Sequence, residues 1–374
     1  MIWLLAGFAW VGHACLWTFL LNFAYAQPLS KRILRPFRLL CGVAILGFPA
    51  VVWASAAPSL WPYLGVCLAL GVLVFPALTL ARLLRRPPAA LRRETSTTVD
   101  YWKQLGRAAL GDGRWRWMPM LPFSDVFKVE FTTLTLRPSG LPPAWDGLTV
   151  LVVSDFHFHG TPSRAFFDAV FADLLKEPTP DLVLLVGDYL DSDAHHGWIG
   201  DLLGRLTANL GRYAVLGNHD LDHDPRRIRG ELEAAGYTVV GERPHRTEFR
   251  GVPVSVIGHE GPWFPPPTGV EDLPATDFKL CLSHTPDHFP WAQALGVNLM
   301  VAGHVHGGQI QLPVIGPIFV PSVYSRRYDG GVYESGPTTM VVGRGLSGKE
   351  PLRHGSRPQV IRLVLTAGSG ERPA

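Results

Sequence analysis

The hydrophobic pattern divides the chain into an almost wholly apolar N-terminal part and a longer part in which short apolar runs alternate with polar segments. Three apolar runs, at about 2–26, 39–57 and 61–83, fill most of the N-terminal part. Each has roughly 19 to 25 residues, which is enough for a helix to cross a hydrocarbon core of about 30 Å. The pattern therefore predicts a transmembrane region over residues 1–85 that contains three α-helices.

Basic residues follow the first and third apolar runs, whereas the turn between the second and third runs has no charge. These residues are Lys31, Arg32, Arg35, Arg38, Arg82, Arg85, Arg86, Arg92 and Arg93. Because cytoplasmic loops are enriched in Lys and Arg, the asymmetry places the N-terminus outside and the bulk of the chain in the cytoplasm. A cleaved signal peptide is the alternative, since Ala24-Tyr25-Ala26 resembles a cleavage site, but no basic segment precedes the apolar run.

A juxtamembrane linker is predicted over residues 86–126, where aromatic and basic side chains alternate. The residues are Tyr101, Trp102, Lys103, Arg107, Arg114, Trp115, Arg116, Trp117 and Met118. One interpretation places this segment at the lipid headgroups, where side chains with an apolar body and a polar end are favoured. The other interpretation is a linker helix that packs on the domain that follows.

Beyond residue 126 the pattern alternates between strands and helices, which is typical of βαβ units and layered sheets. It predicts an α/β domain over residues 127–366, followed by a flexible tail over 367–374. Strands are predicted at 127–136, 148–153, 182–186, 213–216, 254–257, 279–283, 299–302, 339–342 and 360–365. Helices are predicted at 163–176, 199–210 and 225–235.

Composition narrows the possible functions only slightly. The formal net charge of +3 gives no support to nucleic-acid binding, so no nucleic-acid partner is expected. The four cysteines have no Cys-x-x-Cys spacing, which argues against a zinc finger or a disulfide framework and favours buried thiols.

Polar residues stand where five of the predicted strands end. In α/β sheets ligands bind outside the carboxyl ends of the strands, so these residues are candidates for a common site. The stretches are Asp155-Phe156-His157, Gly187-Asp188, Gly217-Asn218-His219-Asp220, Ser283-His284 and Gly303-His304-Val305-His306. Each stretch alone is explained by a capped turn or a packed histidine. Together they concentrate charged and polar groups that need mutual compensation or a metal ion.

This order of motifs resembles the signature of the calcineurin-like metallophosphoesterases, with all five blocks present over roughly residues 127–366. The stretches 282–287, 302–309, 344–346 and 351–353 are similar to those of the bacterial membrane-associated branch. The resemblance implies a layered αββα sandwich preceded by three transmembrane α-helices. It also implies multi-pass insertion in the inner (cytoplasmic) membrane, with phosphodiesterases and UDP-2,3-diacylglucosamine pyrophosphatases as relatives.

The resemblance further implies two divalent metal ions held by seven residues. One ion would take Asp155, His157 and His306, the other Asn218, His284 and His304, and Asp188 would bridge them. Imidazole and oxygen ligands without thiolate suit Mn, Fe or Zn. Two divalent ions, two carboxylates and one hydroxide leave a charge of about +1, which attracts a phosphate diester.

His219 is not among these ligands, and we expect it to contact a phosphoryl oxygen or to protonate the leaving oxygen. Asp220 is expected to fix its ring, as carboxylates commonly orient histidines, with a helix-capping role as the alternative. Arg164, Arg344 and Arg353 are candidates for binding a substrate phosphate. Trp263 and Phe264 are candidates for the wall of a lipid or base pocket, or for packing within their loop.

The sequence thus predicts a membrane-anchored hydrolase of phosphodiester or pyrophosphate bonds. A lipid-linked substrate such as UDP-2,3-diacylglucosamine would fit the anchor, but it rests on family analogy. The alternative is a metal-binding sensor or scaffold at the membrane that no longer turns over, which predicts a lost ligand or a lost His219. Neither is lost. Transport is disfavoured because the apolar runs lack paired charges.

Overall fold

The structure is a computed structural model that describes residues 2–54 and 58–368. The last residues of the second apolar run and most of the predicted tail lie outside the described residues. The chain forms two compact units. The helical unit consists of residues 1–86 together with 311–327, and the sheet unit consists of residues 87–310 together with 328–374.

Three long apolar helical segments make up most of the helical unit, and each is long and apolar enough to cross a membrane. They are α1 (Ile2–Tyr25), α2 (Lys31–Ala54) and a third segment in which α3 (Trp61–Ala69) continues through a π-helical turn at Leu70–Val74 into α4 (Phe75–Leu83). Helix α2 begins at Lys31 rather than at Leu39. Lys and Arg are good helix formers, so the helix extends through the basic segment that precedes the apolar run.

The first and third segments approach closely at two glycines. A Cβ atom on Gly12 would lie 1.8 Å from the carbonyl oxygen of Cys67, and one on Gly71 would lie 1.9 Å from that of Phe8. Small residues at such crossings allow helix backbones to pack in an apolar environment. His13 joins the other helices, because its ring nitrogens lie 2.6 Å from Tyr63 Oη and 3.0 Å from Ala44 O.

In the part of the chain that the structure describes, the remaining α-helices are short, and fifteen strands lie between residues 91 and 365. The helices are α5 (Tyr101–Leu105), α6 (Arg164–Leu174), α7 (Pro225–Ala234) and α8 (Phe289–Ala294). The strands are β1 (Leu91–Asp100), β2 (Lys128–Leu136), β3 (Thr149–Val153), β4 (Leu182–Val186), β5 (Gly211–Val215), β6 (Thr238–Val239), β7 (His245–Phe249), β8 (Val252–His259), β9 (Phe278–Ser283), β10 (Leu299–Ala302), β11 (Gln311–Leu312), β12 (Gly316–Pro317), β13 (Gly331–Ser335), β14 (Thr338–Val342) and β15 (Gln359–Leu365).

The sheet unit is a sandwich of two mixed sheets. One has the order β1-β2-β15-β3-β4-β5-β6 and the other β13-β14-β10-β9-β8-β7. A buried core between them includes Val150, Leu184 and Leu282, and a second core includes Leu185 of the first sheet and Phe166 of α6. The α/β class and the layered αββα arrangement that the sequence predicted are confirmed.

Parallel pairing brings the polar strand ends to one edge. β3, β4 and β5 are parallel neighbours in one sheet, and β8, β9 and β10 are parallel neighbours in the other. Ala302 is in register with Ser283, so the loops that follow β9 and β10 leave the sheet at the same level. The predicted apolar runs locate β3, β4, β9 and β10 to within a few residues because these strands are buried almost throughout.

Two segments differ from the pattern-based prediction. Residues 91–100, assigned to a linker, form the edge strand β1, paired antiparallel with β2. Most of its side chains are exposed on both faces, so apolar alternation could not identify it. The helix predicted at 199–210 is reduced to a π-helical turn at Ile199–Leu203, and glycines at 200 and 204 disfavour a longer helix.

Candidate metal centre

The ligand loops begin directly after the buried strands, and their backbone is unusual. Five of the seven predicted ligands have a positive φ: Asp155, His157, Asp188, His304 and His306. This left-handed region is uncommon for residues other than glycine, and such conformations concentrate at functional sites. Gly217 is required for a different reason, because a Cβ there would lie 2.2 Å from Asp188 Oδ1. The loops therefore turn sharply and bring their side chains close together.

The first cluster contains Asp155, His157, Asp188 and His306, all buried or nearly so. One ligand atom from each lies within 4.8 Å of the others. The Nε2 atoms of His157 and His306 are 3.3 Å apart, and His157 Nε2 is 3.5 Å from Asp188 Oδ2. Four donor atoms that converge in this way are what the predicted first metal position requires.

The second cluster contains Asp188, His284 and His304, again with ligand atoms within 4.8 Å. His284 Nε2 lies 3.4 Å from Asp188 Oδ1 and 3.0 Å from Asn218 Oδ1, which adds the amide to this group. Asp188 thus belongs to both clusters. Its Oδ2 lies toward His157 in the first, and its Oδ1 lies toward His284 in the second. The structure brings all seven predicted ligands together in two adjoining groups.

Two atoms in these clusters have no hydrogen-bond partner among the described residues: Asp188 Oδ2 and His304 Nε2. A buried carboxylate oxygen or imidazole nitrogen without a partner is costly unless it binds something else. Burial alone would raise the pKa of Asp188, but the imidazoles of His284 and His219 hold it well below its usual range. An ionised carboxylate near an unpartnered imidazole nitrogen fits divalent cations.

Hydrogen bonds from the protein orient two of the ligand histidines. His284 Nδ1 donates to Val186 O at 2.8 Å, and His157 Nδ1 lies 2.8 Å from Asp191 Oδ2. A donor role for Nδ1 leaves Nε2 as the atom with a lone pair for the metal, which is the common arrangement for metal-bound histidines. Each ring therefore presents Nε2 to its cluster.

Asp191, rather than Asp220, orients His219. His219 Nδ1 lies 2.5 Å from Asp191 Oδ1, so one carboxylate contacts both His157 and His219. The expectation that Asp220 fixes this ring is wrong. Burial lowers the pKa of His219, but the carboxylates of Asp191 and Asp188 outweigh that effect and raise it to about 9.

Asp220 has a structural role that the sequence analysis did not identify. Its fully buried carboxylate accepts the backbone N–H groups of Asp188 and Gly217 at 3.0 and 2.8 Å. It also accepts those of Tyr189 and Leu190 at 2.8 and 3.3 Å. These bonds tie the loop after β5 to the loop after β4, and so they hold the bridging ligand in position.

The three arginines proposed to bind substrate have other partners. Arg353 is buried and donates to the carbonyl oxygens of His306 and Arg344 at 3.1 and 2.8 Å, and also to that of Ser347. Its Nη2 lies 3.1 Å from His306 Nδ1, so it supports a ligand loop. The substrate role of Arg353 stays a prediction, and it would require these hydrogen bonds to open.

Arg344 and Arg164 are also engaged elsewhere. Arg344 contacts Glu130 at 2.6 Å, in the second strand of the large sheet. Arg164, on helix α6, pairs with Asp168 at 3.2 Å and with Asp201 at 3.1 Å. Their predicted contact with substrate stays a prediction, and it would require these pairs to open.

Three further residues lie at the centre: Asp191 and Lys349, to which the sequence analysis gave no role, and Trp263, whose role it left open. Asp191 stands three positions after the ligand Asp188, and this spacing was the sequence signal that could have identified it. Lys349 Nζ is 3.8 Å from Asp191 Oδ1, which places an ammonium group beside the histidine pair. The half-buried ring of Trp263, left open as a pocket wall or a packing residue, lies 4.8 Å from the ring of His304 and 5.8 Å from that of His284, measured between centroids.

Comparison with known proteins agrees with this geometry. The sequence model described as Calcineurin-like phosphoesterase matches residues 148–308, a span that contains all seven predicted ligand positions. The chain is 30% identical over 259 residues to the uncharacterized metallophosphoesterase YkuE of Bacillus subtilis, covering 65% of this chain and 87% of that protein.

Two relatives with assigned names are also similar. The phosphodiesterase YaeI of Escherichia coli is 30% identical over 226 residues, covering 58% of this chain and 81% of that protein. The UDP-2,3-diacylglucosamine pyrophosphatase LpxG of Chlamydia trachomatis is 24% identical over 278 residues, covering 58% of this chain and 83% of that protein. Both similarities are with metal-dependent hydrolases of phosphoester or pyrophosphate bonds.

Proposed function

The chain belongs to the calcineurin-like phosphoesterase family and is a metal-dependent phosphoester hydrolase, and on that premise we propose that it cleaves a phosphodiester or pyrophosphate bond in a lipid-linked substrate. We further propose that it acts at the cytoplasmic face of the inner membrane. The observation that carries the chemical part is the pair of buried clusters that share Asp188.

The ligand set fits two divalent ions, with Asp155, His157 and His306 on one, Asn218, His284 and His304 on the other, and Asp188 on both. Two such ions would stabilise charge on the phosphoryl oxygens and activate a water molecule as the nucleophile. The complete ligand set and the presence of His219 support turnover over the alternative of an inactive sensor or scaffold. Mn, Fe and Zn all suit these donors.

His219 is the proposed general acid. Its pKa is raised to about 9, mainly by Asp191 and Asp188 acting against burial, which favours the protonated ring. In the proposed reaction the oxygen of water forms a bond to phosphorus and releases a proton to solvent, while the bond to the leaving oxygen breaks. His219 gives its proton to that leaving oxygen, and Asp191 stabilises the imidazolium before the transfer. Lys349, beside Asp191, would attract the anionic substrate.

Two features of the chain support a lipid-linked substrate. The first is the set of three apolar helices, which would hold the enzyme at a bilayer. The second lies in the sheet unit, where Trp117, Met120 and Phe123 expose large apolar side chains, with Phe123 90% exposed. Arg114 and Arg116 accompany them in sequence. Aromatic and basic side chains in one exposed segment suit the headgroup layer, which favours the first interpretation of residues 114–123.

The rest of the predicted linker supports the other interpretation. Tyr101 is fully buried and donates a hydrogen bond to Asp173 at 2.7 Å, and Trp102 stacks on Phe127 with centroids 5.6 Å apart. We therefore propose that residues 91–105 are docked on the hydrolase domain, whereas residues 114–123 contact lipid. The basic residues after the first and third apolar runs favour the cytoplasmic side of the membrane for the hydrolase domain and for residues 114–123.

The proposal is tested by the choice of substrate. Full-length protein in lipid nanodiscs with Mn²⁺ would be assayed against UDP-2,3-diacylglucosamine, a phospholipid panel, cyclic nucleotides and bis-p-nitrophenyl phosphate. UDP-N-acetylglucosamine, which shares the pyrophosphate but lacks the long acyl chains, is the matched control. We expect a higher kcat/KM for a lipid-linked substrate than for its soluble counterpart. A preference for cyclic nucleotides or for the soluble sugar nucleotide would reject the lipid-linked assignment.

A further inference from the structure

Residues 311–327 leave the sheet unit and belong to the helical unit. This insert begins shortly after the ligand His306 and ends just before β13. Strands β11 and β12 pair antiparallel, with Gln311 opposite Pro317, and form a small hairpin with its tip at residues 313–315. The insert is rich in apolar residues and has no acidic residue. Neither the family signature nor the metal centre uses any residue of this segment.

Specific contacts fix the insert on helix α1. The side chain of Asn22 is 1% exposed. Its Nδ2 donates to Ser325 Oγ at 2.9 Å, and its Oδ1 accepts Val320 N–H at 3.0 Å. One turn later Tyr25 meets Phe319 edge-on, with centroids 5.3 Å apart. A buried amide that satisfies both its donor and its acceptor holds the insert in one position.

The insert also contacts the third apolar segment. The guanidinium of Arg326 lies 5.9 Å from the ring centroid of Phe75. A Cβ on Gly316 would lie 2.6 Å from Arg82 Nε, so the hairpin strand β12 passes close to the end of α4. Tyr25 and Arg82 stand at the C-terminal ends of the first and third apolar segments. The insert therefore lies at the end of these segments where the basic residues are concentrated.

Three large apolar side chains of the insert are exposed. Leu312 is 41% exposed, Val314 68% and Ile318 44%. Val314 is at the tip and has a φ of 68°, a costly conformation for a β-branched residue that turns the hairpin at this point. Large apolar side chains exposed on a short insert beside apolar helices are of the kind that enters a lipid layer.

We propose that residues 311–327 form an interfacial hairpin that inserts Leu312, Val314 and Ile318 into the bilayer, at the boundary between headgroups and acyl chains. The occupant of this surface is lipid, because the hairpin shares its unit with the three helices and lies at their basic end. Tyr25, which contacts Phe319 of the insert, and Arg326, which belongs to the insert, have the amphipathic character that is favoured at that depth. This inference rests on the proposed membrane insertion of the helices.

Spin labels at three positions of the full-length protein in nanodiscs test the hairpin separately from the helices. The variants are Val314→Cys at the tip, Leu73→Cys in the third apolar segment, where the native residue is 66% exposed, and Glu248→Cys on an exposed face of β7. Wild-type protein treated in the same way measures labelling of the native cysteines. The readout is the ratio of nitroxide collision rates with oxygen, which concentrates in the bilayer, and with a water-soluble nickel chelate.

We expect collisions with oxygen to dominate at position 73 and collisions with nickel to dominate at position 248. Position 314 should resemble position 73, at a shallower depth. If position 314 instead matches position 248 while position 73 remains oxygen-dominated, the hairpin is in water and the proposal is wrong. Protection of position 314 from both reagents would mean a protein partner or a second copy, and would also overturn it. Nickel collisions at position 73 would reject membrane insertion of the helices themselves.

Discussion

His219 Nδ1 and His157 Nδ1 bind opposite oxygens of the same carboxylate, Asp191, at 2.5 and 2.8 Å. One of these histidines is a predicted metal ligand and the other is the proposed acid. Their rings meet edge-on, with centroids 4.7 Å apart. A single side chain therefore orients a ligand and also controls the protonation of its neighbour, so its replacement should change both metal affinity and pH dependence.

Asp191→Asn should move the alkaline limb of the kcat profile to lower pH. The protonated form of His219 is the proposed active form, and the carboxylates of Asp191 and Asp188 raise its pKa to about 9 against the effect of burial. Activity is therefore present below this pKa and is lost as the pH rises through it. Removal of one carboxylate lowers the pKa, so the loss begins earlier. Bound cations lower the pKa of His219 in the wild type and in the variant alike. The quantity to measure is therefore the difference between the two pKa values.

Asp193→Asn is the matched control for that experiment. Asp193 lies two residues away and also contacts a histidine, His223 at 2.6 Å, but its side chain is exposed. If the alkaline limb of the kcat profile is unchanged in Asp191→Asn while the metal content equals that of wild type, Asp191 does not control the protonation of His219.

His219→Ala should retain both metals and lose roughly 10²- to 10⁴-fold in kcat, the usual contribution of a general acid. The loss should depend on the leaving group. p-Nitrophenolate leaves without much help from a proton, whereas an alkoxide needs one. Hydrolysis rates of bis-p-nitrophenyl phosphate and of a dialkyl phosphate diester, whose leaving group is an alcohol, would be compared, with metal content from elemental analysis. Equal losses for both leaving groups would indicate a contact to phosphate rather than proton donation.

Asp188→Asn should empty at least one metal position. The amide has only one oxygen to accept a cation, and it carries no charge to compensate two of them. Metal per protein, measured by elemental analysis after dialysis, should fall from about two to one or fewer. Full occupancy in this variant would contradict a bridging carboxylate.

Arg353→Ala should act on the fold of the ligand loop rather than on substrate affinity. It removes the hydrogen bonds to the carbonyl oxygens of His306, Arg344 and Ser347 and to the His306 ring, and a buried group left unpaired costs about 1–3 kcal/mol. A lower Tm and weaker metal binding are expected, with KM little changed in protein saturated with metal. Arg164→Ala, which breaks exposed ion pairs, should change stability by less than about 1 kcal/mol. A large increase in KM with unchanged Tm would instead indicate that Arg353 contacts the substrate phosphate.

The sequence predicted the strands and the ligands of the metal centre well, because buried apolar strands there lead directly into the polar ligand residues. Strands β3, β4, β9 and β10 consist mostly of buried apolar residues, and a polar residue that lines the centre follows each of them within two positions. The edge strand β1 was missed because its exposed Thr and Ser positions carry no burial signal. The assignment of Asp220 failed for a related reason. Adjacent residues in a tight loop point in different directions, and only the fold reveals that Asp191 reaches His219.

Trp263→Ala should change substrate selectivity without a loss of metal. The half-buried indole lies against His304 and His284, on the side of the second cluster, and so it can form one wall for the group that leaves. A substrate with a large apolar or planar substituent should therefore lose affinity in this variant, with KM rising several-fold, since stacking on an aromatic side chain contributes about 0.5–1.5 kcal/mol. Small alkyl diesters should be unaffected, and Trp263→Phe should restore most of the affinity. Steady-state kinetics with both substrate types would show the difference, and an equal loss for both would mean that Trp263 only supports the two histidines.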